Sequence, residues 1–250
     1  MNITVFNEYH PDEQSGKAAK TYPGGIHTTL AELFGQLPDV QVRTATQEEP
    51  VHGLTDEVLD STDVLVWWSK DWNNELLESV ADKVASRILG GMGAIFLHSG
   101  KNSKPFRKLM GTTCATNPGI RAGESGETEK LYVCCPSHPI AEGFPNGYVI
   151  PNEEPYCEYF DIPEPDDIVF MGWFDGGSAV RAGVTFRRGA GKIFYFQPGH
   201  ETFPVYRDEA IKRVLLNAAR WAAPTQQAAP AVNFAKPKTS IKTKIFKFLK

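Results

Sequence analysis

Histidine is the side chain whose proton affinity lies closest to neutral pH, and this 250-residue chain carries six of them. Two stand where an apolar run ends: His98 in Ala94-Ile-Phe-Leu-His-Ser-Gly100, and His200 in Lys192-Ile-Phe-Tyr-Phe-Gln-Pro-Gly-His-Glu201. A third, His27, follows Gly24, Gly25 and Ile26 at the start of a helical pattern, where the helix dipole disfavours its protonation. His98, His200 and His27 are therefore expected to supply acid-base chemistry. Carboxylates accept hydrogen bonds from paired hydroxyls and aromatic rings cover C–H patches, so Glu8, Glu154, Glu158, Glu201 and Trp68 suit the binding of a sugar. Glu153, Tyr156 and Tyr159 lie in the same stretch as Glu154 and Glu158. Ser99 follows His98, but a serine nucleophile at a strand-to-helix turn sits in Gly-x-Ser-x-Gly, which this turn lacks. An amidotransferase would need cysteine there, so Ser99 is assigned a hydrogen-bonding role. His10, His52 and His138 fall in polar loops or before proline and are assigned to turns.

Chemistry at strand ends requires strands that deliver it. Ile3 to Tyr9, Val40 to Ala45, Thr62 to Trp68, Ala94 to Leu97 and Lys192 to Phe196 are short apolar or alternating runs, each ending in polar residues. In open parallel sheets, ligands bind outside the carboxyl ends of the strands. Gly24 to Gly35, Thr55 to Leu59, Asn73 to Leu89, Ser103 to Met110 and Asp208 to Ala222 are the helices expected between and after them. His10 to Pro23 is expected to be a long loop, and Gly100 to provide the sharp turn after the fourth run. From Leu131 to Arg187 no long helix separates the strand-like runs, so antiparallel strands are expected at one side, with a hairpin at Asp175-Gly-Gly-Ser178.

The formal net charge of −4 gives no bulk attraction for nucleic acid, and neither a Gly-x-Gly-x-x-Gly nor a phosphate-cradling loop precedes a helix. Met1-Asn-Ile-Thr-Val-Phe opens as a strand and not as a secretion signal, and the four cysteines lack Cys-x-x-Cys spacing. Free thiols and a cytoplasmic location are the expectation. Residues 1–223 read as one α/β domain and 224–250 as a linker with a flexible lysine-rich tail, for which membrane contact is the lesser reading. An isologous homo-oligomer is the default, although no stretch marks an interface.

Several separated motifs resemble the ThuA-like, trehalose-utilisation family over roughly residues 1 to 223. They are Val5-Phe-Asn-Glu-Tyr9, Tyr22-Pro-Gly-Gly-Ile-His27, Asp63-Val-Leu-Val-Trp-Trp68, Leu97-His-Ser-Gly100 with Leu109-Met-Gly-Thr112, His138-Pro-Ile-Ala-Glu-Gly143, Glu158-Tyr-Phe-Asp161 and Gly191 to Glu201. The resemblance implies a flavodoxin-like parallel sheet sandwiched between helices, as in class I glutamine amidotransferases. It also implies a role in metabolism of trehalose, another disaccharide or glucoside, or its 3-keto derivative. Relatives carry Gly-His-x-x-His after the paired tryptophans, where this chain has Lys70 and Asn73, and often a further histidine where it has Lys101. If those histidines hold a divalent metal such as zinc, three ligands are replaced by groups that bind metal poorly, leaving His98 and His200. Lys70 and Lys101 add positive charge, which suits an anionic or strongly hydroxylated ligand. The alternative is a non-catalytic sugar-binding or interaction protein that has lost a metal centre.

Overall fold

Five apolar runs pair in parallel, and their order places the chemistry-bearing ends side by side. The computed structural model describes residues 1–119 and 125–225; the lysine-rich tail lies outside the described residues. The strands are β1 (Asn2–Asn7), β2 (Gln41–Thr46), β3 (Val64–Trp68), β4 (Gly93–Leu97), β5 (Asn117–Pro118), β6 (Glu127–Val133), β7 (Tyr148–Glu153), β8 (Tyr156–Cys157), β9 (Asp167–Phe174), β10 (Ala179–Arg188) and β11 (Gly191–Phe196). One sheet has the order β2-β1-β3-β4-β11-β10-β9-β6-β7. Its β2-β1-β3-β4-β11 half is parallel and the remainder antiparallel, as the sequence leads one to expect. β5 and β8 form a separate small ladder.

Helices α1 (Gly16–Thr21), α2 (Ile26–Phe34), α3 (Asp56–Ser61), α4 (Glu78–Leu89), α5 (Lys104–Met110) and α6 (Glu209–Ala222) flank the sheet. β3 and β4 are buried along their whole length, as befits strands covered on both faces. α4 buries Val80, Ala81, Val84, Ala85 and Ile88, and α6 buries Ile211, Val214, Leu215, Ala218 and Ala222, the stripes set by the 3.6-residue period. Phe106 of α5 packs 4.9 Å from Phe96 and 5.7 Å from Tyr195, measured between ring centroids, which fixes the turn after β4 against the sheet.

Three local expectations are revised. The segment 10–23 contains a 3-10 turn at Pro11–Gln14 and then α1, because His10 and Glu13 close a reciprocal capping box. After β4 the left-handed residue is His98 itself (φ 51°), and a 3-10 turn over His98–Asn102 precedes α5. Gly100 is not where the chain reverses. α4 also begins at Glu78, later than Asn73, because Asn73 is engaged in closing the preceding loop.

Candidate functional site

His98 is fully buried, and its ring is held at both nitrogens. Nδ1 lies 2.8 Å from the carbonyl oxygen of Gln197, just beyond β11, and so donates to it. Nε2 faces Glu154 Oε2 at 3.0 Å and the Tyr156 hydroxyl at 3.4 Å. Tyr156 stacks on the imidazole at 5.2 Å and 20°, and its hydroxyl shares a 2.8 Å hydrogen bond with Ser99 Oγ. His200 approaches the same ring edge-on, 5.5 Å between centroids. The ends of β4 and β11 thus converge with the β7–β8 connection on one cluster.

Electrostatics drive the two imidazoles in opposite directions. Burial opposes protonation of His98, but the hydrogen bond and charge of Glu154, reinforced by Glu153 and the Gln197 carbonyl, outweigh it and raise its pKa. His200 is pushed down to about 4 by burial and then by the positive His98. The Thr202 amide donates to His200 Nδ1 at 3.2 Å, so the neutral ring carries its proton on Nε2. Although Glu201 Oε2 lies 3.4 Å from that Nδ1, the amide donor makes Nδ1 an acceptor, and this approach is not a hydrogen bond. Burial works against ionisation of Glu154, yet the hydrogen bond and charge of His98 hold it at about 2. The pair thus favours the protonated form of His98 beside an ionised Glu154, while His200 is neutral at neutral pH.

Polar groups complete the cluster. Lys70 Nζ donates to Glu201 Oε1 at 2.7 Å, while Glu201 Oε2 is buried without a hydrogen-bond partner among the described residues. Such an oxygen is an open acceptor for a hydroxyl. Lys101 lies over the Tyr156 ring, 5.0 Å from its centroid, and donates to Asn102 Oδ1 at 3.1 Å; burial pulls its pKa down to about 8. Lys70→Met should leave Glu201 without its cation and raise the Glu201 pKa, observable as an upfield-to-downfield carboxyl titration moved to higher pH; an unmoved titration would show that the ion pair has no hold on it.

Other expected site residues act at a remove. Glu8 accepts from the Asp71 and Trp72 amides at 2.7 and 2.9 Å and so holds the loop bearing Lys70. Fully buried Trp68 donates from Nε1 to the Gly199 carbonyl at 3.0 Å, tying the β3 end to the His200 loop. His27, whose pKa is lowered first by burial, accepts at Nδ1 from Asn7 Nδ2 at 3.2 Å; that amide also donates to Glu13. Burial lifts Glu13 to about 8, with the charges of Glu8 and Glu201 adding to the rise, so the His27 network borders the cluster through its acids. Glu158 is engaged elsewhere: Arg181 donates to it from Nε at 2.9 Å and from a terminal nitrogen at 3.0 Å. Removing this pair with Arg181→Met should lower unfolding free energy by about 2 kcal/mol, the scale of hydrogen bonds to a charged group, measured by urea denaturation. An unchanged midpoint would mean that Glu158 needs no partner. His10 and His138 accept from backbone amides at short 3-10 turns, and His52 bridges Gln47 and Leu77.

The residues at the cluster do not fit a divalent cation. His98 Nε2 is taken by Glu154, His200 Nδ1 accepts an amide, and the ammonium group of Lys70 occupies Glu201. Asn73 accepts from Ser69 Oγ at 2.6 Å and donates to the Lys70 carbonyl, serving as a loop clasp. Among the described residues, three ligand-type atoms close together occur at His10, Asp12 and Asp71, on exposed or half-exposed loops that include neither His98 nor His200.

Comparison with known proteins gives the family and the fold. The family model for ThuA, trehalose utilisation, matches residues 2–222. The chain belongs to the ThuA family. Its fold is similar to a ThuA-like protein of Parabacteroides merdae, with TM-score 0.62 and 17% identity over 92% of this chain and 93% of that one. A ThuA-like protein of Bacteroides uniformis aligns with TM-score 0.60 and 14% identity over 89% and 91%. A Salmonella typhimurium protein described as cytoplasmic aligns with TM-score 0.57 and 14% identity over 90% and 100%. No curated protein matches the chain. As a ThuA-family member it is a trehalose-utilisation-related protein, and no helix among its described residues is long and apolar enough to cross a membrane.

Three contributors are less apparent from sequence. Tyr156 and Glu153 appear there as members of the acidic and aromatic group around Glu154, with no partner assigned, and Gln197 as the residue after an apolar run. Each acts through contacts across 40 or more residues: 58 for Tyr156 to His98, 99 for His98 to Gln197 and 46 for Glu153 to Gly199.

Proposed function

We propose that this ThuA-family protein acts in the cytoplasm on trehalose, another disaccharide or glucoside, or the corresponding 3-keto derivative, by proton transfer from His98. The observation that carries the reading is the pair of imidazoles at adjoining strand ends, His98 held protonated by Glu154 and His200 held neutral 5.5 Å away. Environments that separate the proton affinities of two neighbouring groups assign them different roles. A substrate oxygen that displaces Glu154 Oε2 from Nε2 takes the His98 proton and returns it, and the displaced carboxylate, still alongside, steadies the imidazolium. His200 donates a hydrogen bond from neutral Nε2–H without carrying charge. Glu154 and the open oxygen of Glu201 accept from sugar hydroxyls, with Ser99, Tyr156 and Lys70 as donors around them. The family's trehalose-utilisation description supports a sugar as the substrate.

Protonating a keto oxygen acidifies the neighbouring C–H bonds, so the protein should exchange those positions of a 3-keto glucoside with solvent deuterium, followed by NMR. His98→Ala should slow the exchange by about 10²- to 10⁴-fold, the usual contribution of a positioned acid. Equal exchange in a folded His98→Ala protein would remove His98 from the chemistry. Binding of the sugar with no exchange in the wild type would instead identify a binding protein.

A further inference from the structure

Behind the His98 cluster lies a group of buried polar atoms that the chemistry above does not use. Both carboxyl oxygens of Glu129, the hydroxyls of Tyr195 and Tyr206, and Oε1 of Gln197 are buried with no hydrogen-bond partner among the described residues. They share one region. Tyr195 and Gln197 project from the same face of β11 and its end, by the two-residue alternation of a strand. The Gln197 amide donates to the Ala182 carbonyl on β10, and a β-carbon on Gly172 of β9 would lie 3.2 Å from Ala182 Cβ. Glu129 extends from β6 across Gly172, where a β-carbon would collide with its Oε1. The two small residues, Ala182 and Gly172, thus separate Tyr195 and Gln197 from the Glu129 carboxyl. Glu153, fully buried, stands at the site end of this region and accepts from the amides of Gly199 at 2.6 Å, Glu154 at 2.8 Å and His200 at 3.2 Å.

We propose that Glu129, Tyr195 and Gln197 hold internal water that links Glu129 to Glu153, with Glu129 a neutral acid that donates toward Glu153 and keeps it anionic beside His98. An ionised Glu129 would be a buried carboxylate with no donor, whereas a neutral carboxyl bridged by water satisfies both itself and the orphaned oxygens. Burial raises the pKa of both carboxyls, that of Glu153 to about 7, but Glu153 alone has three amide donors and the His98 charge to favour its anion, so Glu153 is the member that ionises. The ionisable groups that feel the Glu153 charge are His98 from the β4 end, Glu129 from β6, Tyr156 from β8, Tyr195 from β11, and Tyr22 and Tyr206. Of these, His98 is the one whose charge Glu153 directly supports. Glu129 is therefore a positioning residue for the proton donor, and the proposal rests on the reading of His98 as that donor.

The test needs no sugar. The imidazole titration of His98 is followed by NMR in the ligand-free protein carrying Glu129→Leu and Glu129→Gln. Leucine removes the donor, Glu153 then takes up a proton, and the His98 midpoint falls by about one pH unit. Glutamine, which can donate from its amide, keeps the wild-type midpoint. A folded Glu129→Leu protein with an unmoved midpoint, or an equal fall in Glu129→Gln, overturns the proposal. Should Glu129→Leu not fold, infrared spectra of wild type and the near-isosteric Glu129→Gln decide it: the neutral-carboxyl absorption at neutral pH, to which Glu13 also contributes, must lose one component in the second, and identical spectra overturn it. Failure here leaves the deuterium-exchange result standing, so the two readings fail separately.

Discussion

Glu154→Gln should carry the His98 titration midpoint from above the ordinary histidine value of 6.5 to below it. The sign follows from the competing influences on the ring. Burial favours the neutral imidazole, and the Glu154 carboxylate, 3.0 Å from Nε2, is the largest of the groups that reverse this preference. Glutamine keeps the size and one acceptor oxygen but removes the charge, so burial regains control. The carboxylate's own pKa, about 2, shows the reciprocal side of the same pair. Because the folded pKa of His98 is raised, the pair contributes stability that is complete below the unfolded histidine pKa and is lost as pH rises through the folded one. Glu154→Gln should therefore lose its deficit relative to wild type at alkaline pH. Measured by imidazole NMR with denaturation at several pH values, a midpoint that stays above 6.5 would show that Glu154 does not set the charge of His98.

Gly199→Ala should destabilise the protein by about 2–5 kcal/mol and dismantle the His200 side of the cluster. Gly199 has φ 138°, a conformation an L side chain rarely adopts, and a β-carbon there would overlap the Tyr206 hydroxyl. The backbone cannot shift freely to relieve the overlap. Its amide donates to Glu153 Oε2 at 2.6 Å and its carbonyl accepts from Trp68 Nε1 at 3.0 Å, so movement breaks buried hydrogen bonds at both ends. Urea denaturation gives the loss in stability, and the His98 imidazole resonance reports on the cluster in whatever protein remains folded. Wild-type stability in Gly199→Ala would mean that Tyr206 yields without cost.

The parallel half of the sheet was legible because each strand is a short apolar or alternating run closed by polar residues: Val64–Trp68 lies within its marked run, and Gly93–Leu97 starts one residue before its own. The antiparallel half was legible from the missing helices between Leu131 and Arg187. What the pattern cannot convey is where a side chain spends its hydrogen bonds. Glu154 and Glu158 stand four residues apart and look alike in sequence, yet one meets His98 and the other Arg181. His27 and His98 both sit near glycines, but their partners, Asn7 and Gln197, lie 20 and 99 residues away. Glu13 fell within an expected loop because a reciprocal cap between His10 and Glu13 leaves no hydrophobic periodicity. Lys70 was visible as a candidate binding residue, while its ion pair with Glu201 required the strand order that brings the ends of β3 and β11 near β4.

Calorimetric titration of trehalose, simple glucosides and their 3-keto derivatives into wild-type and Glu154→Gln protein at neutral pH tests the central claim most directly. The arrangement of His98, Glu154, His200 and Glu201 predicts saturable binding of at least one of these sugars by the wild type, weakened at least about tenfold, or 1.4 kcal/mol, in Glu154→Gln. Binding of none of them by the folded wild-type protein, or equal binding by both proteins, would contradict a sugar site at His98.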